Sequence, residues 1–129
     1  MSAKKMSAVM TQSLEDYVEA IFLLIKDVKG ACVRDVAKLL NVKMPSVVKA
    51  IHELKKLELV VQQPYGPIEL TTKGKRVAKL VHNRHTLLRS FLMKLGVSRK
   101  TADKDACMME HILSAETLDK IRYFTDEKK

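Results

Sequence analysis

The sequence predicts a mainly α-helical chain with one small β wing, a winged helix-turn-helix followed by a helical dimerisation unit. Three observations carry that prediction. First, Val33, Val36, Ala37 and Leu40 recur at helical spacing, Asn41-Val42 interrupts them, and Val47, Val48, Ile51, Leu54 and Leu57 resume the pattern. Two short helices with a tight joint form a helix-turn-helix. Second, Leu59 to Gln63 and Ile68 to Thr71 flank Pro64-Tyr-Gly-Pro67, which reads as strand, loop, strand and therefore as a wing. Third, Val77, Leu80, Val81, Leu87, Leu88, Phe91, Leu92 and Leu95 keep a helical pattern too long for a winged domain of this size. That helix is expected to enter a second packing unit consistent with a dimer core, which divides the chain into residues 1–75 and 76–129.

Taken in order, residues 1–10 are polar and small apart from Met6, Val9 and Met10, and a loose start is expected. A first helix is expected from Ser13, whose hydroxyl can cap backbone N–H groups, with an apolar series Leu14, Tyr17, Val18, Ile21, Phe22, Leu24 and Ile25. Gly30 closes the connection. Glu15 and Asp16 suit the first turn through the helix dipole, an explanation that does not extend to Glu19. Pro45 stands near the start of the second helix of the pair, where its missing N–H costs nothing. The face of that helix left outside the core carries Ser46, Lys49, Ala50 and Glu53, preceded by Lys43. The long helix begins near Thr72, carries Gly74 at a mild propensity cost, and stops at Gly96. After a basic joint at 97–101, Ala102 to Leu113 is expected to be helical. Ser114 then caps a last helix bearing Leu118, Ile121, Tyr123 and Phe124, and Thr125 to Lys129 is expected to be mobile.

The chain has 129 residues and is 47% apolar, enough for one core and a modest second unit, so disorder is not the default reading. There is no apolar run of membrane-spanning length and no secretory pattern at the start, so no membrane partner is expected. The net charge is +9. Residues 34–79 hold ten Lys/Arg against four Asp/Glu, so two thirds of the excess lies in and just after the helix-turn-helix. Such a surface attracts phosphate backbones, and with the helix pattern it points to double-stranded DNA. Within it, Lys43, Ser46, Lys49 and Ala50 are placed to read base edges, and Arg34, Lys55, Lys73, Lys75 and Arg76 to contact phosphate. Two cysteines, Cys32 and Cys107, in a chain with ample core material argue for reduced thiols and a cytoplasmic location.

Cys107, Glu110 and His111 stand at i, i+3 and i+4, which on a helix presents a thiolate, a carboxylate and an imidazole together. These donor types bind divalent first-row metals. The alternative is a buried cysteine beside an exposed Glu-His pair, and spacing alone leaves both open. His85 on the long helix and Asp16 and Glu19, three apart on the first helix, are further candidates. His82 and His52 read as surface residues.

The chain resembles the metal-dependent transcriptional repressors typified by the diphtheria toxin repressor and the manganese transport regulator. The resemblance runs through Ser13-Leu-Glu-Asp-Tyr-Val-Glu19, Met44-Pro-Ser-Val-Val-Lys49, Leu70-Thr-Thr-Lys-Gly-Lys75, Arg84-His-Thr-Leu-Leu88 and Cys107-Met-Met-Glu-His111. It implies a metal site of Asp16, Glu19, His85, Cys107, Glu110 and His111. It also implies a homodimer that binds a palindromic operator and represses metal-uptake genes when a divalent metal is plentiful. Asp16 and Glu19 match the manganese-sensing branch, whereas Cys107 stands where the iron-sensing branch has cysteine. Manganese is therefore favoured over ferrous iron, with zinc or cobalt able to bind in vitro. The iron-sensing branch has a glutamate where this chain has Arg89 and a histidine where it has Asp103, so an ancillary metal site is expected to be lost or changed. Arg89 is expected to pair instead with Asp103 or Asp105. On this resemblance the short two-domain form is expected, without the SH3-like third domain of longer members. The rival reading is a winged-helix regulator with another effector or none. An enzyme is not expected, because no paired general base or oxyanion donor accompanies the cluster.

Overall fold

Residues 11–27 and 31–127 are described by the computed structural model; the loose start expected over 1–10 and the role expected for Gly30 lie outside the described residues. Helix α1 (Gln12–Asp27) is capped by Thr11 and not by Ser13. Thr11 Oγ1 accepts the Leu14 N–H at 3.1 Å, and its carbonyl accepts the Glu15 N–H at 3.0 Å, which leaves Ser13 inside the first turn. Both residues carry a cap-competent hydroxyl, so local sequence did not separate them.

Helices α2 (Val33–Leu40) and α3 (Met44–Lys56) form the helix-turn-helix. The joint is made by Asn41, whose left-handed φ of 56° is one that asparagine tolerates. It lets the Val42 N–H reach the Ala37 carbonyl at 3.0 Å and so satisfies the end of α2. Pro45 sits in the first turn of α3, as expected. Val18 and Ile21 of α1, Val36 and Ala37 of α2, and Val47, Ile51 and Leu54 of α3 share one buried cluster. Each of the Val, Ile and Leu side chains among them contributes roughly 1.5–3 kcal/mol on burial. Ala50, assigned by spacing to the outward face, is 7% exposed and belongs to this core, so it is not placed to read bases. Val48, assigned to the core, is 56% exposed.

Strands β1 (Val60–Gln62) and β2 (Ile68–Leu70) pair antiparallel with Val60 opposite Leu70 and Gln62 opposite Ile68. Val60, Ile68 and Leu70 face the core, while Val61 and Glu69 alternate outward. Tyr65 at the wing tip has φ 61° and is fully exposed. Ala31 adds a bridge to Ile68, its carbonyl accepting the Ile68 N–H at 2.7 Å.

Helix α4 (Thr72–Lys94) opens on a dense joint. Thr71 Oγ1 accepts the Gly74 N–H at 2.9 Å and donates to the Glu58 carbonyl at 2.7 Å, while the Thr71 N–H donates to the Leu59 carbonyl at 3.0 Å. Gly74 is required here rather than a mild cost, because a Cβ at this position would collide with the Leu59 carbonyl.

The chain divides into two compact units, Met1–Lys79 and Leu80–Lys129, so α4 contributes residues to both. The second unit is built on Leu88, Ala106 and Leu118 with Leu87, Met109, Leu113 and Ile121 against them. Gly96, at φ 101°, ends the turn after α4. Helix α5 (Arg99–Met109) is capped by Ser98, which accepts the Thr101 N–H at 3.4 Å. It starts three residues before the expected Ala102 and stops four short of Leu113, because its first turn is solvent-facing and shows no apolar period. Helix α6 (Ala115–Glu127) is capped by Ser114 as expected, through the Thr117 N–H at 3.2 Å. It continues past the expected mobile point at Thr125, which is buried and whose carbonyl accepts from Lys94 Nζ at 2.5 Å. Residues 128–129 lie outside the described residues. Tyr123 points outward at 66% exposure, whereas Phe124 meets Phe91 edge to face at 6.0 Å and 77°.

Candidate metal centre and nucleic-acid interface

Within the second unit, α4 sets His85 and Arg89 four residues apart on one face. Helix α5 delivers Cys107 from its last turn and then ends, so Glu110 is the C-cap and His111 lies in the turn beyond it. The Glu110 N–H still reaches the Ala106 carbonyl at 3.0 Å, while the His111 N–H turns to the Met108 carbonyl at 3.5 Å. The three donors are therefore gathered by a helix end, not by one continuous helical face as spacing predicted.

Glu110 is fully buried. Its Oε1 lies 3.6 Å from His85 Nδ1 and 3.7 Å from His111 Nε2, with those imidazole side chains 16% and 2% exposed. Cys107 offers its sulfur within 4.8 Å of a Glu110 oxygen and is itself exposed. The structure inverts the alternative posed above, since the Glu-His pair is buried and the cysteine exposed. Separations of 3.6 and 3.7 Å exceed a hydrogen bond. They fall below about 4.2 Å, twice a typical metal–nitrogen or metal–oxygen distance of roughly 2.1 Å, so one cation can touch each pair. The carboxylate also stands at the negative pole of α5, whose last turn holds no basic residue. A carboxylate, two imidazoles and a thiol suit a divalent first-row ion, and the residues present fit one.

Asp103 of α5 completes the second unit's polar network. Its Oδ1 accepts from Arg89 Nη1 at 3.0 Å and lies 3.1 Å from His85 Nε2. The Arg89 guanidinium, and then His85, hold its carboxyl below the usual carboxylate range. The expected Arg89–Asp103 pair is thus formed. The Asp103–His85 contact was not anticipated; its sequence signal was weak, an aspartate on the helix after the one that carries His85. Asp16 and Glu19 belong to the first unit, three apart on α1 and both half-buried.

On the first unit Arg34, Lys43, Ser46, Lys49, Lys55, Lys73, Lys75 and Arg76 are all exposed. Lys43, Ser46 and Lys49 lie at or within the start and middle of α3, beside the exposed Met44 and Val48. Lys73 Nζ donates to the Leu57 carbonyl at 3.2 Å and so also caps the end of α3. The second unit presents a mainly apolar groove in which Phe91, Leu95, Ile121 and Phe124 are joined by Glu116, Thr117 and Lys120, with Leu95 61% exposed. Among the described residues, no helix is long and apolar enough to cross a membrane.

Residues 9–68 match the iron dependent repressor N-terminal DNA binding domain, and residues 71–129 match the iron dependent repressor metal binding and dimerisation domain. An HTH-type transcriptional regulator of Methanocaldococcus jannaschii is 39% identical over 122 residues, 93% of this chain and 98% of that protein. The transcriptional regulator MntR of Escherichia coli O6:H1 is 40% identical over 114 residues, 88% of this chain and 74% of that protein. Among solved structures, the manganese regulator SloR superposes with a TM-score of 0.79 at 25% identity over 91% of this chain. This chain spans about half of that one, 55% of its length. Buried donors around Glu110, a basic helix-turn-helix with a wing and two matched domains together place the chain in the iron-dependent repressor family, as a metal-responsive, DNA-binding transcriptional repressor.

Proposed function

We propose that Asp16, Glu19, His85, Cys107, Glu110 and His111 form the effector site of this repressor, and that it controls manganese or iron uptake genes from the cytoplasm. The observation that carries this reading is the full burial of Glu110 between His85 and His111. A bound divalent ion supplies the positive charge that lets a buried carboxylate share one point with a thiol and two imidazoles. The family resemblance implies that the first-helix carboxylates Asp16 and Glu19 join this donor set, so that a bound ion would couple the DNA-binding unit to the second unit. That coupling restricts the arrangements of two reading heads and so lowers the cost of engaging a palindromic operator. Manganese is favoured over ferrous iron, because carboxylates outnumber the single thiol.

At the DNA, Lys43, Ser46 and Lys49 read base edges in the major groove while Arg34, Lys55, Lys73, Lys75 and Arg76 hold phosphates. The exposed apolar groove at Phe91, Leu95 and Ile121 suits the pairing of two copies. The test is operator binding with the protein's own upstream region, titrated with manganese, ferrous iron or zinc, alongside Cys107→Glu. Metal-dependent binding with manganese effective at the lowest concentration supports the reading. Binding indifferent to every ion overturns it.

A further inference from the structure

His85 stands between two carboxylates, and its ring nitrogens are not equivalent. Nε2 lies 3.1 Å from Asp103 Oδ1, within hydrogen-bond distance, whereas Nδ1 lies 3.6 Å from Glu110 Oε1, beyond it. A neutral imidazole has one N–H and one lone pair, and an ionised carboxylate can only accept. Asp103 is engaged from its other side by Arg89 Nη1, at 3.0 Å on the same oxygen. Arg89 sits one turn along α4 from His85, so the guanidinium and the imidazole reach the aspartate from one helix face while Asp103 reaches back from α5. In the neutral ring the N–H therefore belongs on Nε2, where Asp103 can only accept, and the lone pair is left on Nδ1, on the side of the buried Glu110 carboxylate.

The geometry points to Asp103 as a positioning residue for the metal site. Anchored by Arg89, it accepts the His85 Nε2–H, selects one tautomer and presents the Nδ1 lone pair to the ion beside Glu110. This rests on the reading above that His85 is a ligand. A hydrogen bond from the remote ring nitrogen of a ligating histidine to a carboxylate fixes ring orientation and raises its basicity, and losing such a partner typically weakens metal binding 10–100-fold. The arrangement also assigns Arg89 a purpose: it holds the Asp103 oxygen in place and puts a fixed positive charge on that side of His85. A second cation is disfavoured there, so metal is directed to the Glu110 side of the ring.

The test uses the full chain. In metal-free protein carrying 15N-labelled histidine, two-bond nitrogen–proton correlation spectra report the His85 tautomer directly, and the Nε2–H form is expected. An Nδ1–H form in the unmodified protein overturns the proposal whatever any variant does. Calorimetric titration with Mn2+ alone then compares Asp103→Leu, His85→Ala and the double variant. A positioning role predicts a 10–100-fold loss for Asp103→Leu, a loss at least as large for His85→Ala, and no further loss when Asp103→Leu is added to His85→Ala. Asp103→Asn keeps an acceptor oxygen for Nε2–H and is expected to recover most of the affinity. If Asp103→Leu weakens binding equally with and without His85, the aspartate is merely structural and the proposal fails while His85 stands as a ligand. If His85→Ala leaves Mn2+ affinity unchanged, the ligand reading itself falls and takes the positioning role with it.

Discussion

Gly74→Ala separates local helix propensity from the packing at the wing. Alanine is favoured over glycine within a helix by about 1 kcal/mol, so propensity alone predicts that the substitution stabilises the protein. The structure predicts the opposite sign. A Cβ at Gly74 collides with the Leu59 carbonyl oxygen, a backbone atom held in the segment that leads into β1, so neither partner yields by a rotamer change. Relief requires the first turn of α4 to move away from Leu59, which strains three bonds made through Thr71: to Leu59 at 3.0 Å, to Glu58 at 2.7 Å and from Gly74 at 2.9 Å. At about 1 kcal/mol each, losing them costs about 3 kcal/mol. Residual overpacking adds about 1 kcal/mol at the low end of its range, against the gain of about 1 from propensity. The net expectation is a destabilisation of about 3 kcal/mol. With a urea slope of about 1–3 kcal/mol per molar, the unfolding midpoint followed by circular dichroism should fall by at least about 1 M. An unchanged or raised midpoint refutes the close approach, and with it the account of how the wing is locked to α4.

Other substitutions test other parts of the structure. Thr11→Ala removes the cap of α1 and should cost about 1 kcal/mol in the same unfolding experiment, whereas Ser13→Ala should fall within about 0.5 kcal/mol of the parent. Glu110→Gln removes the one buried anionic donor; Mn2+ affinity measured by calorimetry should drop by more than about 100-fold, beyond the loss typical of an outer-shell partner, and a retained affinity would remove Glu110 from the site. Lys49→Ala should change preference among operator variants, while Lys75→Ala should weaken all of them alike and reduce the salt slope of binding by about 1. Identical behaviour of the two lysine variants would show that α3 is not the reading helix.

The helix-turn-helix was legible because its punctuation is local: Asn41 supplies the left-handed turn, Pro45 marks the next start, and the apolar spacing on either side fits one core. What escaped depended on contacts distant in sequence. Thr11 and Ser13 carry equally competent hydroxyls, and only the bonds that Thr11 accepts from the Leu14 and Glu15 N–H groups choose between them. Ala50 is small enough to suit either face, so its place in the core is decided by how closely α3 packs with its neighbours. Gly74 looked like a propensity defect because the clash it avoids is with Leu59, fifteen positions earlier. The limits of α5 were hidden by a solvent-facing first turn at Arg99-Lys100-Thr101, where no apolar period exists to be counted. Candidate donors could be named from residue type and spacing, but which of them is buried could not, since that depends on the helix ending at Met109.

In the proposed site that ending would bear on how the ion is chosen. Were α5 continuous to Leu113, Glu110 and His111 would remain part of a regular helical face; instead the helix stops, and both side chains are drawn into the interior beside His85 while Cys107 stays on the exposed last turn. Charge and burial are thus divided unequally among the donors. A cation of any kind favours a buried carboxylate at a helix C-terminus, so in the proposed site Glu110 and the two imidazoles would bear on whether a divalent ion binds at all. The thiol is exposed and is the one soft donor in the set, so its energetic leverage lies in the difference between ions: it adds most for iron, zinc or cobalt and least for manganese. Cys107→Glu should therefore leave metal binding intact and shift the order of activation toward manganese, whereas the same loss of affinity for every ion would place Cys107 on equal terms with Glu110.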